Sequence, residues 1–258
     1  MIRNYLPYFI FKRLFGDRRK YKNKFYINDS ELLKWNEFWE EDFYKNTQND
    51  GIGAIVKKWG YKILLELDLS GKTVLEIGPG SLPHIGFWKN YPKEYIAMDT
   101  SERHFKYLDE KLGNKKVKIK KYVSHQHEII DIPEKNIDII LSFFSLEHLH
   151  KLTDYLNFFY NKLDKNGILV ASIPNEGGIG WGLGRYLTTR RYVHSKTELN
   201  YDKLICFEHP NYADYILSSV EKSNFKITTK KSYPLGKYMP LDLNLVTSFT
   251  LKKINTFK

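Results

Sequence analysis

The fold is decided by the run Val74-Leu75-Glu76-Ile77-Gly78-Pro79-Gly80. Its apolar residues predict a buried β-strand that ends in an acid and opens into a glycine turn, with a helix expected from His84 to Asn90. Gly78 and Gly80 lack the Cβ atoms that would keep a ligand away from the backbone, and both allow a positive φ. Glu76 lies at the carboxyl end of the strand, where open α/β sheets bind their ligands. For the glycines alone, a tight turn that closes any strand–helix unit is the alternative.

A second short apolar run, Tyr95-Ile96-Ala97-Met98-Asp99, also ends in an acid. Asp99 lies 23 positions after Glu76, close to the spacing of roughly 20 residues at which an acid meets ribose hydroxyls in nucleotide-binding units. With these two motifs the chain resembles the class I S-adenosylmethionine-dependent methyltransferases. Members of that family share a strand that runs into E/D-x-G-x-G and a second strand that ends in an acid.

Further segments extend the resemblance in the order that the family shows. Residues 137–142 with 146–149 resemble its fourth strand and the start of the next helix, residues 163–170 resemble the turn into its fifth strand, and residues 172–175 end that strand. One departure is the sequence Ser81-Leu82-Pro83 after Gly80, where many members have a third glycine.

The resemblance and the alternation of strands and helices predict an α/β protein with a Rossmann-like class I methyltransferase fold. The expected sheet has seven mostly parallel strands with helices on both faces, and its last strand lies antiparallel between the fifth and the sixth. Strands are predicted near 73–77, 94–98, 116–123, 137–142, 167–173, 225–231 and 245–252, and helices near 30–44, 52–67, 84–90, 101–112, 150–163 and 207–223. Residues 1–70 are predicted to be a basic, aromatic leader with cap helices, and residues 71–258 a methyltransferase domain with an insertion at about 174–208.

The resemblance implies S-adenosylmethionine as the cofactor. The first acid and the glycine turn are expected to meet its methionine portion, Asp99 its ribose, and the segment after the third strand its adenine. The predicted cofactor-binding residues are Glu76, Gly78, Pro79, Gly80, Asp99, Thr100, His125, Gln126 and Ser142. No grouping of acids and histidines reads as a dedicated metal site, so metal independence is predicted.

The insertion combines a glycine-rich stretch, residues 177–184, with several arginines. Because it leaves the carboxyl end of the fifth strand, it is expected to lie above the active site as a substrate lid, with glycine hinges and arginines that bind phosphate. The predicted acceptor-binding residues are Arg185, Arg190, Arg191 and Tyr192. A flexible surface loop, or structural ion pairs from the arginines to Glu198 or Asp202, are the alternatives.

Methyl transfer to a hydroxyl needs a group that takes up the proton, and histidine suits this role near neutral pH. His148, His194 and His209 are the candidate catalytic residues. His148 also has a structural interpretation, because Glu-His recurs at that position in relatives that methylate different acceptors. Glu208, which precedes His209, has the alternative of serving a helix N-terminus.

Composition narrows the class of protein. The chain has 258 residues, a formal net charge of +11 and a single cysteine, Cys206, which excludes an intrachain disulfide and any multi-cysteine zinc site. The charge indicates an anionic partner or only a solvated basic surface. The leader has an aromatic stretch at residues 5–11 followed by basic residues up to Lys20, the reverse of a signal peptide. A membrane-interface segment, packing on the core and an oligomer contact are equal alternatives for this stretch.

The leading prediction is a cytoplasmic methyltransferase that acts on a small-molecule or glycan acceptor, and peripheral contact with the inner face of the membrane is left open. The insertion resembles bacterial methyltransferases of surface-polysaccharide synthesis, which implies a sugar hydroxyl on a nucleotide-linked or lipid-linked glycan and suits an acceptor that carries phosphate. An RNA methyltransferase and a non-catalytic relative of the fold are the alternatives, although no RNA-binding module is legible in the sequence.

Overall fold

The computed structural model describes residues 1–21, 29–38, 51–124 and 128–254. Its strands are β1 (Thr73–Ile77), β2 (Glu94–Asp99), β3 (Lys118–Val123), β4 (Ile137–Phe143), β5 (Leu163–Pro174), β6 (Phe225–Tyr233) and β7 (Val246–Lys253). They form one seven-stranded sheet in the order β3-β2-β1-β4-β5-β7-β6. Within it, β7 runs antiparallel to β5 and to β6. The predicted Rossmann-like α/β fold, with the last strand inserted between the fifth and sixth, is confirmed.

The centre of the sheet consists of β1, β2 and β4, whose residues are almost all buried. Strands that are covered on both faces read as continuous apolar runs, which explains their sequences. In register, Ile77 of β1 lies beside Met98 of β2 and Ser142 of β4. The ends of these strands therefore meet at one side of the sheet, which we call the carboxyl edge.

Helices cover both faces of the sheet. They are α1 (Tyr8–Phe15), α2 (Ser30–Phe38), α3 (Gly51–Tyr61), α4 (Phe105–Leu112), α5 (Leu152–Lys162), α6 (Ile179–Leu187), α7 (Thr189–Lys196), α8 (Tyr201–Glu208) and α9 (Ala213–Glu221). Leu75 and Ile77 of β1 pack in the core that α5 and α9 cover, whereas Val74 packs in the core that α4 and the end of α3 cover. Alternate residues of one strand thus hold helices to opposite faces.

Two predicted helices differ from the structure. The helix expected at 84–90 is a single 3-10 turn, Ile85–Phe87, because Gly86 disfavours a helix, His84 turns inward and Pro92 biases the preceding residue to extended backbone. The helix expected at 207–223 is divided: α8 ends at Glu208 and α9 begins at Ala213. Pro210 lies in the gap and cannot donate the backbone hydrogen bond that a continuous helix needs there.

The insertion is helical rather than a loop, and the leader packs on it. The segment predicted as a glycine-hinged loop forms α6 and α7, and α8 follows. Gly182 of α6 lies against the ring of Phe15, where an added Cβ would come within 2.6 Å of a ring carbon. Arg3 pairs with Asp214 of α9 at 2.7 Å. Core packing, an alternative for the leader, therefore accounts for one side of α1.

The predicted helix at 30–44 is present as α2, and its continuation past residue 38 lies outside the described residues. Its N-terminus is capped by Asp29, since the backbone N–H groups of Glu31 and Leu32 donate to the Asp29 carboxylate. Across the parts of the chain that the structure describes, no helix combines the length and the apolar character needed to cross a membrane.

Candidate active site

The glycine turn after β1 is pressed against the chain that follows β4. Gly78 has a φ of +67°, and a Cβ added there would lie 2.6 Å from the hydroxyl oxygen of Ser145. That hydroxyl donates to the carbonyl of Ile77 at 2.8 Å. Because both the backbone conformation and the space exclude a side chain, glycine is required at this position. The turn therefore exposes bare backbone at the carboxyl edge.

Glu76 is fully buried beneath this turn. One of its carboxylate oxygens accepts the hydroxyl of Tyr95 at 2.6 Å and faces Nε2 of His84 at 3.1 Å. The other oxygen, Oε1, has no hydrogen-bond partner among the described residues. A buried acceptor without a partner is costly, so a ligand that donates a hydrogen bond at this place would be stabilised.

Asp99, at the end of β2, is hydrogen-bonded to the glycine turn that follows β1. Its Oδ2 accepts the N–H of Gly80 at 3.0 Å, and its Oδ1 accepts Ser101 N at 3.1 Å and His104 Nδ1 at 2.9 Å. A carboxylate offers about four acceptor positions. One position therefore remains on Asp99, which is enough for a single hydroxyl group.

The other predicted cofactor residues lie at the same edge or outside the described part. Pro79 is buried in the turn, Thr100 is exposed directly after β2, and the buried hydroxyl of Ser142 has no partner among the described residues. His125 and Gln126 lie outside the described residues. The structure thus brings the first acid, the glycine turn, Asp99 and Ser142 together, and their contact with a cofactor stays a prediction.

A second polar cluster lies where β5 ends. Glu176 is fully buried, and its carboxylate accepts Trp181 Nε1 at 2.9 Å, Arg185 NH1 at 2.7 Å and His209 Nδ1 at 2.8 Å. Arg185 makes a second hydrogen bond to the same carboxylate through NH2, so the pair is bidentate. Since a carboxylate only accepts, Nδ1 of His209 carries the proton and Nε2 holds a free lone pair.

His148 lies against His209, with the ring centroids 4.6 Å apart and the planes nearly perpendicular. It follows Ser145 by three residues, which connects this cluster to the glycine turn. Burial, with the nearby guanidinium groups of Arg185 and Arg18, holds the pKa of His209 well below its ordinary value. His209 is therefore neutral near pH 7. We call Glu176, Arg185, His148 and His209 the acid–histidine cluster.

Two more carboxyl groups border the cluster. Burial raises the pKa of Glu147 to about 8, and burial raises the pKa of Glu208 to about 7 although Trp35 donates to it at 3.0 Å. Burial also lowers the pKa of Lys57, on α3, to about 8. Groups with pKa values moved toward neutrality are typical of sites that transfer protons.

The remaining predicted site residues lie apart from this cluster. His194 is exposed on α7, where its ring lies near Tyr201. Arg190 pairs with Asp202 at 2.6 Å and donates to the carbonyl of Arg13 at 3.1 Å. This contact agrees with the alternative that Arg190 makes a structural ion pair. Arg191 is exposed, and the ring of Tyr192 lies near Phe38. Their predicted contact with an acceptor stays a prediction.

Glu176 is the central residue that sequence reasoning missed. It comes two positions after β5, so it carries the same signal as Glu76 and Asp99, an acid at the carboxyl end of a parallel strand. In the part of the chain that the structure describes, no group of three acids, histidines or cysteines could hold a metal ion.

The sheet order and the edge that carries the two sites define a class, the Rossmann-like methyltransferase fold. The chain belongs to the family of methyltransferase domains, whose match extends over residues 54–230. The predicted class of enzyme, a methyltransferase, is thereby confirmed. A relative described only as an uncharacterized protein of Haemophilus influenzae is 25% identical over 109 residues, which span 41% of this chain and 43% of that protein. The match thus extends over less than half of that relative's length.

Solved structures show the same fold. The N-methyltransferase NodS of Bradyrhizobium japonicum, solved with S-adenosyl-l-homocysteine, has a TM-score of 0.57 at 12% identity and covers 87% of this chain and 99% of its own. An S-adenosylmethionine-dependent methyltransferase of Mesorhizobium loti has a TM-score of 0.54 at 13% identity and covers 76% and 98%. At these identities the two structures show the shared fold, and S-adenosylmethionine is the cofactor that the sequence predicts.

The residues present fit that cofactor. Among the described residues Glu76 Oε1 has no donor, Asp99 keeps one acceptor position for a ribose hydroxyl, and Gly78 presents backbone without a side chain. These groups would hold the amino acid and ribose portions of S-adenosylmethionine. The acid–histidine cluster is connected to the glycine turn through the short segment from Ser145, which bonds the carbonyl of Ile77, to His148, which packs on His209.

Proposed function

We propose that this protein is an S-adenosylmethionine-dependent methyltransferase that methylates a hydroxyl group of a sugar in a nucleotide-linked or lipid-linked glycan. The observation that carries the choice of a hydroxyl is the contact of His209 with Glu176 at 2.8 Å. A hydroxyl acceptor must lose a proton during methyl transfer, and this arrangement provides a positioned base.

Each residue of the cluster has a defined part in this proposal. Glu176 fixes the tautomer of His209, so that Nε2 faces away with its lone pair available. Burial and Arg185 keep the imidazole neutral, so Nε2 carries no proton before the reaction. When bound, S-adenosylmethionine supplies an electrophilic methyl group on a sulfonium. The acceptor oxygen would receive that methyl group, S-adenosylhomocysteine would leave, and Nε2 of His209 would take up the hydroxyl proton.

The charge of the protein bears on the chemistry of the acceptor. The chain carries a formal net charge of +11, which favours an anionic acceptor such as a phosphorylated glycan. Arg185 and Arg190 are engaged in ion pairs, so Arg191, which is exposed, is the arginine of the insertion that we assign to acceptor phosphate. Membership of the surface-polysaccharide group is part of this proposal, and no specific observation favours RNA as the substrate.

The test measures methyl transfer from S-adenosylmethionine to a panel of nucleotide sugars and lipid-linked glycans. His209→Gln should lower kcat by about 100-fold to 10,000-fold and leave the affinity for S-adenosylhomocysteine, measured by calorimetry, unchanged. His194→Gln is the matched control and should behave as wild type. Full activity in His209→Gln would exclude His209 as the base, and transfer to bulk RNA but to no glycan would overturn the choice of acceptor.

A further inference from the structure

Most of the large apolar side chains that are exposed among the described residues lie in three segments of the chain. Fifteen large apolar side chains are strongly exposed among the described residues. Three of them lie at residues 2–9 of the leader, two on α6, and four in the loop between β6 and β7. These segments are far apart in sequence, so their shared character is a property of the folded surface. We call this surface the docking face.

Direct contacts join the segments of the docking face. The backbone N–H of Ile2 donates to the Asp242 carboxylate at 3.1 Å, and Gly180 N donates to the Asp242 carbonyl at 2.8 Å. The leader and the start of α6 thus meet at one residue of the β6–β7 loop. On α6, Leu183 and Leu187 are exposed and four residues apart, so they share a side of the helix. The opposite side carries Gly182 against Phe15.

The docking face is also cationic. Within residues 1–21, 179–191 and 234–245 the only two carboxylates, Asp17 and Asp242, are buried. Exposed arginines and lysines lie in the same segments: Arg13, Arg19, Lys20, Arg191 and Lys237. The surface therefore presents apolar tips among positive charges, with no exposed carboxylate from these segments.

We propose that the docking face binds the surface of a bilayer that contains anionic lipid. Aromatic side chains such as Tyr5, Phe9 and Tyr238 suit the headgroup boundary, Leu183 and Leu187 suit the acyl region just below it, and the cations match anionic headgroups. A nucleic acid would match the positive charges, but its phosphates and sugars would not provide the apolar environment that bilayer lipid provides for the leucines.

This orientation has a consequence for the active site. Arg185, between Leu183 and Leu187 in sequence, points inward to Glu176. The acid–histidine cluster would thus stand one helix away from the lipid surface. The docking does not depend on the proposed function. The further step, in which the docked enzyme takes a lipid-linked glycan from the membrane as its acceptor, rests on the proposed function.

The test is co-sedimentation of the full chain with vesicles of phosphatidylcholine alone and of phosphatidylcholine with phosphatidylglycerol. Wild type should pellet with the anionic vesicles at low salt and not with the neutral ones. Leu183→Ser with Leu187→Ser should weaken binding tenfold or more. Leu33→Ser with Leu65→Ser is the matched control, because these leucines are 54% and 46% exposed, against 46% and 53% for the docking pair, and it should bind as wild type.

Calorimetry with S-adenosylhomocysteine checks that every variant is folded, and it separates this proposal from the proposed function because vesicle binding needs no methyl transfer. The proposal is overturned if wild type ignores anionic vesicles or if the docking-pair variant binds them as wild type does. It is also overturned if RNA rather than lipid is bound, or if light scattering of the lipid-free protein shows a dimer that Leu183→Ser with Leu187→Ser dissolves.

Discussion

The pair formed by Glu176 and Arg185 allows a quantitative test of the acid–histidine cluster. Both side chains are buried, at 0% and 7% exposure, and burial lowers the pKa of Arg185 to about 10, so the guanidinium is charged at neutral pH. Glu176→Gln removes the negative charge and leaves this cation without compensation. Loss of one partner of a buried ion pair costs about 3–5 kcal/mol. For a chain of this size we expect a fall in Tm of about 6–20 °C.

The double substitution distinguishes pairing from mere burial. Glu176→Gln with Arg185→Met removes both charges, and we expect it to be more stable than Glu176→Gln alone, with a coupling energy of at least about 2 kcal/mol. Urea unfolding, followed by tryptophan fluorescence, measures all four members of the cycle. Asp202→Asn is the comparison, because Asp202 pairs with Arg190 at a more exposed position, and it should cost less. Additive effects of the two substitutions would refute the inference that Glu176 and Arg185 form a stabilising buried pair.

Three further predictions concern individual residues. Gly78→Ala should lower the affinity for S-adenosylhomocysteine in calorimetry, because alanine disfavours the left-handed backbone by about 1–2 kcal/mol and its Cβ would lie 2.6 Å from the Ser145 hydroxyl. An unchanged affinity would contradict this close contact. Asp99→Ala should weaken the same affinity roughly tenfold or more, through loss of hydrogen bonds to a charged group, whereas a wild-type constant in a folded variant would remove Asp99 from the donor site. Glu147 has a pKa of about 8 in the folded protein against about 4.3 when unfolded. Unfolding releases a proton between those values, and stability should fall as pH rises towards about 8. Urea unfolding at about pH 6 and about pH 8 should show this decline in stability, up to about 1.4 kcal/mol per pH unit, in the wild type and not in Glu147→Gln. The same pH dependence in both proteins would show that Glu147 is not protonated.

The sheet was predictable because its signals are local. β1, β2 and β4 are nearly continuous apolar runs, which is the pattern expected of strands that are buried on both faces. The acids at the ends of β1 and β2 could be placed at one edge from the spacing alone, since parallel strands end on the same side. The bounds of β1 agree with the prediction, and those of β2 and β4 differ by one residue.

The insertion was mispredicted because its glycines act over long distances in sequence. A cluster of glycines reads as a flexible loop when only neighbouring residues are considered. In the structure, Gly178 lies where a Cβ would approach the carbonyl of Leu241 at 2.9 Å, and Gly182 lies against Phe15. These glycines allow α6 to pack closely on the leader and the β6–β7 loop. Nothing near residue 180 in the sequence indicates either partner.

The same long-range contacts decide which arginines remain for an acceptor. The residue types correctly indicated anion binding, but Arg185 is used by Glu176 and Arg190 by Asp202, and neither acid is adjacent in sequence. A buried guanidinium that already makes a bidentate pair would have to break it in order to bind a phosphate, at a cost that one new contact does not recover. Recognition of an anionic acceptor must therefore come from side chains that are still exposed, and in the insertion that argument leads to Arg191. Because Arg191 is also among the cations of the docking face, headgroup and acceptor phosphate would compete for it unless the acceptor is itself held in the membrane.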